Sequence, residues 1–216
     1  MIGDKLVITE YHRQGATQAL PKVLAHLEAH GTVAASVAGE SGSGKSETGH
    51  CLKEALEAAG KKVILLGQDD YFRLPPKSNH NRRLEGIDWV GPGEVRIDLL
   101  DEHVRAIKDG ATAITKPLVY FEEDRIDEET IEGGPWEAVI IEGTYTSLVP
   151  SLDVRAFIDR DYRQTKKHRL ERARDPDVAF LEQVLAIEHA EISQHKARAD
   201  VVIAPPPEEA KLRLES

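Results

Sequence analysis

The sequence predicts an α/β fold in which helices cover a mainly parallel β-sheet. Short apolar runs, typical of buried parallel strands, alternate along the chain with longer segments of helical spacing. The runs are residues 32–38, 63–66, 138–141, 154–158 and 200–203. The chain has 216 residues, of which 40% are hydrophobic, and this suffices for one sizeable core.

The helical segments lie between these runs. Apolar residues recur at helical spacing in residues 14–30, 45–59 and 97–109, and a longer polar pattern begins at Arg163. The first segment precedes the first strand, so we expect an extra amphipathic helix there. Ligands of such sheets bind at the carboxyl ends of the strands, and the motifs described next fall at those ends.

Composition narrows the classes of function. A net charge of −10 makes the chain a poor general binder of nucleic acid. No run of about 18 apolar residues exists, and the charged N-terminus does not resemble a signal peptide. The single cysteine, Cys51, permits no internal disulfide and indicates a reducing cytoplasm. His12 and the other histidines form no spacing of a ligand set, so we interpret them as structural.

A glycine-rich segment follows the first apolar run. Residues 39–46 fit the pattern G-x-x-x-x-G-K-[ST] between a predicted strand and a predicted helix. Glycines let the main-chain N–H groups point at phosphate oxygens, Lys45 neutralises the β and γ phosphates, and Ser46 offers a hydroxyl to Mg²⁺. The predicted nucleotide-binding residues are Gly39, Glu40, Ser41, Gly42, Ser43, Gly44, Lys45, Ser46 and Glu47.

This loop predicts a bound nucleotide but leaves the reaction open. A small-molecule kinase and a GTPase or ATPase switch both use it. The guanine-binding pattern N-K-x-D begins at neither Asn79 nor Asn81, and a D-x-x-G match at Asp88 does not follow a buried strand. The sequence therefore favours the kinase.

Acidic residues stand at the ends of two further strands. Asp69 and Asp70 follow the second apolar run, where one could accept a proton from a substrate hydroxyl or hold a magnesium-bound water. An ordinary acidic turn is the alternative. Glu142 ends the third run and stands where an acid that faces magnesium belongs.

The order of these motifs resembles the uridine kinase and phosphoribulokinase group of P-loop kinases. The matching pieces are the 39–46 loop, Gln68-Asp-Asp-Tyr-Phe72, Asp88 with Pro92, Pro117 with Tyr120, Val139-Ile-Ile-Glu-Gly143, Glu171-Arg-Ala-Arg-Asp175 and Ala199-Asp-Val-Val-Ile203. The resemblance implies a P-loop NTPase fold with about five parallel strands and a helical lid.

The same resemblance implies roles for individual residues. Asp69 would be the general base, and Ser46 and Glu142 would serve Mg²⁺. The acceptor would be bound by Asp69, Tyr71, Asp88, Tyr120 and Arg125. Lid arginines at Arg169, Arg172 and Arg174 would reach the transferring phosphate.

Two departures concern the acceptor side. Three residues separate Asp88 from Pro92, where the family usually has one, and Arg125 stands where the pyrimidine kinases carry a histidine. With the basic residues at 77–83, which we interpret as a mobile or merely solvated loop, Arg125 makes an anionic sugar or sugar phosphate an alternative acceptor.

Basic residues concentrate in the predicted lid. Seven of the 28 Lys and Arg residues lie between Arg160 and Arg174, and several share one helix face at i+3 steps. Such a face could offset charge on the phosphoryl oxygens. A solvated helix and a nucleic-acid patch are the alternatives, and the overall charge opposes the latter.

We therefore expect a cytoplasmic, ATP- and Mg²⁺-dependent kinase that phosphorylates a hydroxyl group of a small metabolite. It would form a homo-oligomer and have no nucleic-acid or membrane partner. The non-enzymatic alternative is an ATP-sensing module. The expected division is an N-terminal helical extension at 1–31, a kinase domain at 32–206 with its lid at about 160–180, and a tail at 207–216.

Overall fold

A computed structural model describes residues 2, 6–166 and 178–206. Its centre is a parallel sheet of five strands, which confirms the predicted fold class. In chain order these strands are β1 (Val33–Gly39), β2 (Val63–Gly67), β5 (Ala138–Gly143), β6 (Val154–Ile158) and β7 (Val201–Ile203). Their spatial order is β2-β5-β1-β6-β7, so β1 lies in the middle.

The described α-helices are α1 (Glu10–His30), α2 (Lys45–Ala58), α3 (Pro76–Glu85), α4 (Ile97–Lys108) and α5 (Val178–Ile192). Helices α1 and α2 cover one face of this sheet and α4 covers the other. Helices α1 and α2 belong to one apolar cluster, and α4 belongs to the other with Ile192 of α5. All seven residues of β1 are buried, since small side chains there admit helices close to the sheet on both sides. No helix in the described ranges is long and apolar enough to cross a membrane.

The N-terminal helix is built into this core. Helix α1 begins four residues before the segment predicted from helical spacing and ends at Gly31, which adopts a left-handed conformation. Its apolar face packs against the sheet and α2 through Ala16, Ala19, Val23 and Leu27. The extension therefore shares the core of the sheet instead of standing apart from it.

The polar segment at 77–83, which we predicted to be a loop, is instead helix α3. Pro76 occupies its first turn, where a missing N–H costs nothing. The Asp124 carboxylate accepts hydrogen bonds from Lys77 N at 2.6 Å and Ser78 N at 3.1 Å. These bonds satisfy donors that an isolated helix would leave unpaired, and they lower the pKa of Asp124 despite an opposing effect of burial.

Asp124 belongs to the turn of a β-hairpin that the apolar pattern did not predict. Strands β3 (Ala113–Tyr120) and β4 (Arg125–Glu132) pair antiparallel beside the main sheet. Asp70 anchors this hairpin, because its carboxylate accepts hydrogen bonds from Lys116 Nζ at 2.7 Å and Val119 N at 3.0 Å. Asp70 and Lys116 are only 3% and 4% exposed, so the ion pair is buried.

Replacing Asp70→Ala should destabilise the fold by about 3 kcal/mol, since it leaves the buried Lys116 ammonium with a poorer partner. Urea unfolding followed by circular dichroism measures the effect. The exposed Asp109→Ala variant is the control and should shift stability by less than about 0.5 kcal/mol. Equal stability of the two variants would show that Asp70 does not anchor the hairpin.

Candidate active site

The predicted functional residues gather where β1, β2 and β5 end. Parallel pairing places Ala38 opposite Gly143 and Gly67 opposite Glu142. The segments that continue from these strands therefore start at one edge of the sheet: the glycine loop after β1, the turn that carries Asp69 after β2, and Glu142 itself on β5.

The glycine loop joins β1 to α2 and has the shape of an anion cradle. Gly44 adopts a left-handed conformation with φ of 97°, and a Cβ there would lie 2.6 Å from His12 Nε2. A Cβ at Gly39 would lie 2.8 Å from Ser43 Oγ. Only glycine fits such a turn, so the main chain itself lines the loop. Lys45 Nζ donates a hydrogen bond to Glu40 O at 3.0 Å and thus lies over the loop.

Ser46 and Glu142 form an oxygen pair beside this loop. The Ser46 hydroxyl donates to Glu142 Oε2 at 3.0 Å, while Glu142 Oε1 lies 3.0 Å from the position that a Cβ on Gly67 would take. Burial, followed by the negative charge of Asp69, raises the pKa of Glu142 to about 7, although Lys45 and Ser46 act in the opposite direction. The two carboxylates therefore repel each other, and a divalent cation with oxygen ligands would relieve that repulsion.

Adjacent aspartates at the end of β2 have different surroundings. Asp70 turns into the protein toward the hairpin. Asp69 is half-buried, and its charge acts on Glu142 at the edge of the sheet. Of the two, Asp69 is therefore the acid whose charge acts on Glu142, and its role as general base stays a prediction.

Tyr71 corrects one of our predictions. Its side chain is fully buried within the apolar cluster of α4, and its hydroxyl lies 2.9 Å from His103 Nδ1. Burial raises the pKa of Tyr71 well above its usual range, and the charge of Asp70 adds to this. Tyr71 is thus a core residue, and the prediction that it binds the substrate is wrong.

Two acids of the loop segment are buried. The Glu40 carboxylate accepts a hydrogen bond from Tyr162 N at 2.8 Å and contacts His189 Nδ1 at 2.7 Å, so only its main chain is left to line the cradle. Glu47 is buried in the first turn of α2, and its charge acts on His50 and Cys51 of the same helix. The Glu40 side chain is therefore a poor candidate for contact with a phosphate.

Sequence analysis missed the polar contacts of α5. Next to His189, Glu188 accepts a hydrogen bond from Arg83 Nη2 at 3.1 Å, and the same Arg83 atom donates to Glu94 Oε2 at 2.7 Å. Burial raises the pKa of Glu188, while Arg83 and the more distant Lys45 act to lower it. Two adjacent residues of α5 thus reach the glycine loop and the acceptor-side helix α3. The adjacent Glu188 and His189, within the mainly apolar segment VAFLEQVLAIEHAEI, were the available signal.

The predicted acceptor-side residues lie at the surface. The Arg125 guanidinium stacks over the Tyr120 ring at 4.2 Å and pairs with Asp127 on the same strand. Asp88 is exposed in the short turn that follows α3. Tyr120 and Arg125 thus lie on the hairpin, and Asp88 lies just after α3. The contacts of Asp124 join α3 to the hairpin, and the contacts of Asp70 join the hairpin to the end of β2.

Residues 160–166 and 178–180 of the predicted lid fall within the described residues. Arg160 is buried and donates a hydrogen bond to Ser43 O at 3.2 Å, so it helps to hold the glycine loop in place. The Arg163 guanidinium lies 5.2 Å from the centre of the Tyr162 ring. Arg169, Arg172 and Arg174 lie outside the described residues.

Comparisons with known proteins agree with this geometry. The family model described as "Phosphoribulokinase / Uridine kinase family" matches residues 34–172. A uridine kinase of Staphylococcus aureus is 28% identical over 184 residues, which cover 80% of this chain and 87% of the relative.

Solved structures share the fold. A structure described as a possible uridine kinase from Bacillus stearothermophilus superposes with a TM-score of 0.64 at 20% identity, covering 88% of this chain and 98% of that one. Phosphoribulokinase from Rhodobacter spheroides gives a TM-score of 0.61 at 14% identity, with coverage of 80% and 70%.

The contact between His189 and Glu40 should matter for nucleotide binding. In His189→Asn the amide nitrogen replaces Nδ1, so ADP affinity should stay within about threefold of the natural chain. In His189→Gln the side-chain amide lies one carbon further from the main chain and cannot occupy the position of Nδ1. The buried Glu40 carboxylate then loses a hydrogen bond, which should weaken ADP binding about tenfold. Calorimetric titration with Mg²⁺ and ADP measures both. Equal affinities of the two variants would contradict a role for this hydrogen bond.

Proposed function

The chain belongs to the phosphoribulokinase / uridine kinase family, and from this membership we propose an ATP-dependent kinase that phosphorylates a hydroxyl group of a small metabolite. One observation carries the proposal. The Ser46–Glu142 pair, which suits a metal, lies beside a phosphate cradle on one side and the charge of Asp69 on the other. A donor nucleotide and an acceptor hydroxyl would therefore meet at one edge of the sheet.

The donor half would work through the main chain and one ammonium group. The amides of residues 39–46 would bind phosphate oxygens, and Lys45 would exchange its hydrogen bond to Glu40 O for the β and γ phosphates. Because the ammonium group already lies over the loop, this exchange needs a small movement. Arg160 would keep the loop in place through Ser43 O.

The acceptor half would rely on Asp69. As the acceptor oxygen forms its bond to the γ-phosphorus, the bond from that phosphorus to the bridging oxygen breaks and ADP leaves. Asp69 would take the hydroxyl proton during this step, since its carboxylate lies at the same edge as the cradle. Asp88, Tyr120 and Arg125 would orient the acceptor.

Ser46 and Glu142 would hold Mg²⁺, which neutralises charge on the phosphate oxygens when it is bound. The repulsion between Asp69 and Glu142 supports this assignment, because a cation lowers it. Arg169, Arg172 and Arg174 stay predicted as lid residues that stabilise the transferring phosphoryl group. A cytoplasmic location and a homo-oligomeric state also stay predictions.

Two classes of acceptor compete. A relative that is named uridine kinase favours a nucleoside. The guanidinium of Arg125, held over the ring of Tyr120, favours an acceptor that already carries a negative charge. The pairing of Arg125 with Asp127 offsets part of that charge, so we propose the nucleoside-like acceptor first and the anionic sugar second.

Replacing Asp69→Asn should lower kcat about 100-fold or more, because the amide cannot accept the hydroxyl proton. The KM for ATP should stay within about threefold. ADP release, measured over a panel of nucleosides, sugars and sugar phosphates, tests this, with the exposed Asp98→Asn variant as the control. A large loss of ATP affinity instead would make Asp69 a metal-holding residue. Tight ATP binding without turnover on any acceptor would favour the sensing module.

Replacing Arg125→Ala should separate the two acceptor classes. If Arg125 recognises an anionic group, kcat/KM should fall about tenfold for sugar phosphates and change little for nucleosides. Steady-state kinetics on both classes measure the ratio, and Arg105→Ala removes an equivalent charge from the surface of α4 as the control. An equal effect of Arg125→Ala on both classes would rule out the selectivity role.

A further inference from the structure

Arg83 on α3 joins three segments of the chain. Its Nε and Nη2 atoms donate to the two oxygens of the Glu94 carboxylate at 2.5 and 2.7 Å, and Nη2 also donates to Glu188 of α5 at 3.1 Å. Glu94 is fully buried, and the side chains of Arg83 and Glu188 are 16% and 11% exposed. A guanidinium that binds both oxygens of one carboxylate fixes the orientation of the two groups. Arg83 therefore holds Glu94 in one position against α3.

Glu94 in turn holds the turn that carries Asp88, where the chain departs from the family pattern. Gly91 is one of the residues that separate Asp88 from Pro92, and its main-chain N–H donates to Glu94 Oε2 at 3.3 Å. Gly91 is buried and has a φ of 145°, a conformation that favours glycine. The longer spacing before the proline is thus accommodated by a glycine whose main chain is bonded to the carboxylate that Arg83 binds.

A second contact reaches the residue next to Asp88. Asn79 Nδ2 donates to Glu94 Oε1 at 3.1 Å, and Asn79 Oδ1 accepts a hydrogen bond from Trp89 Nε1 at 2.9 Å. The Trp89 indole is thus tied to the same carboxylate through one buried amide. Asp88 itself is exposed, so the position of its side chain depends on these contacts of its neighbours.

We propose that Arg83 is a positioning residue for the acceptor, because through Glu94 it holds the turn from which Asp88 would bind that substrate. The inference rests on the proposed function for the role of Asp88, whereas the contacts of Arg83 do not depend on it. It gives a task to one basic residue of the segment 77–83. Arg83 acts through Glu94 and does not itself contact the substrate.

A buried ion pair that only stabilises the fold is the simpler role. Loss of such a pair lowers stability and affects the binding of both substrates alike. The partners of Glu94 point to a more specific task. It accepts four hydrogen bonds, two from Arg83, one from Asn79 and one from Gly91, and all of these residues lie on α3 or on the turn of Asp88. A disturbance of this carboxylate should therefore weaken acceptor binding selectively.

The variant Arg83→Lys keeps a positive charge between the two glutamates, so it should fold, but its ammonium lacks the planar fork that binds both oxygens of Glu94. The KM for the acceptor should rise about tenfold, while the KM for ATP stays within about twofold. Uridine and ribose 5-phosphate are the probes, one for each acceptor class, and ADP release measures the constants. Arg105→Lys makes the same change in an exposed ion pair and should leave both constants within about twofold.

The variant Trp89→Phe disturbs the same turn without touching a buried charge. It removes the N–H that Asn79 accepts and keeps an aromatic ring, so the KM for the acceptor should rise about threefold and the KM for ATP should not change. Hydrogen exchange followed by mass spectrometry needs no substrate. The amides of residues 86–91 should exchange about tenfold faster in Arg83→Lys than in the natural chain, whereas those of β1 should exchange equally slowly.

Three outcomes decide the proposal. Equal rises of the two KM values in Arg83→Lys would assign the ion pairs to fold stability alone and overturn it. Unchanged exchange of residues 86–91 in that variant would overturn it as well. If the natural chain phosphorylated neither probe, the proposed function would fail for both acceptor classes, and the exchange rates alone would confirm or overturn the hold of Arg83 on the turn.

Discussion

The hydrogen bond from the Ser46 hydroxyl to the Glu142 carboxylate joins the first turn of α2 to the end of β5, and the rest of the site depends on this contact. It exists because β1 and β5 pair in parallel, so that the glycine loop and Glu142 start at the same edge of the sheet. Small, buried side chains in β1 let helices pack on both faces and fix that pairing. The contact between Ser46 and Glu142 thus follows from the packing of helices on both faces of the sheet.

Charged side chains surround the edge of the sheet at which Ser46 and Glu142 lie. Besides burial, the negative charge of Asp69 raises the pKa of Glu142. The charge of Asp70, by contrast, is paired with that of Lys116. Helix α5 extends the arrangement, since His189 contacts Glu40 of the loop and Glu188 contacts Arg83 of α3. Because a buried acid without a donor is costly, these contacts restrict how the loop and α3 can move relative to each other. Donor and acceptor sides are therefore coupled through one helix.

The sequence was informative where local chemistry is determined by residue type. Short apolar runs indicated all five strands of the main sheet, and the glycine pattern predicted the loop that carries Lys45 and Ser46. The sequence was less informative where tertiary contacts determine the orientation of a side chain or the formation of a helix. Tyr71 directly follows two acids, yet residues 68–71 form a short 3-10 helix in which successive side chains point in different directions, and the Tyr71 hydroxyl contacts His103 in the core. Helix α3 is too polar to show helical spacing, and Asp124 caps it from 47 positions along the chain.

The central claim is that two substrates meet between Lys45 and Asp69. Its most direct test is a rapid-quench experiment with ATP that carries a radioactive γ-phosphate, in the presence of the best acceptor found. The account predicts that the label appears in a phosphate ester of the acceptor, ahead of any free phosphate, and that Lys45→Ala abolishes the transfer. Label that appears only as inorganic phosphate, or transfer that persists in Lys45→Ala, would contradict it.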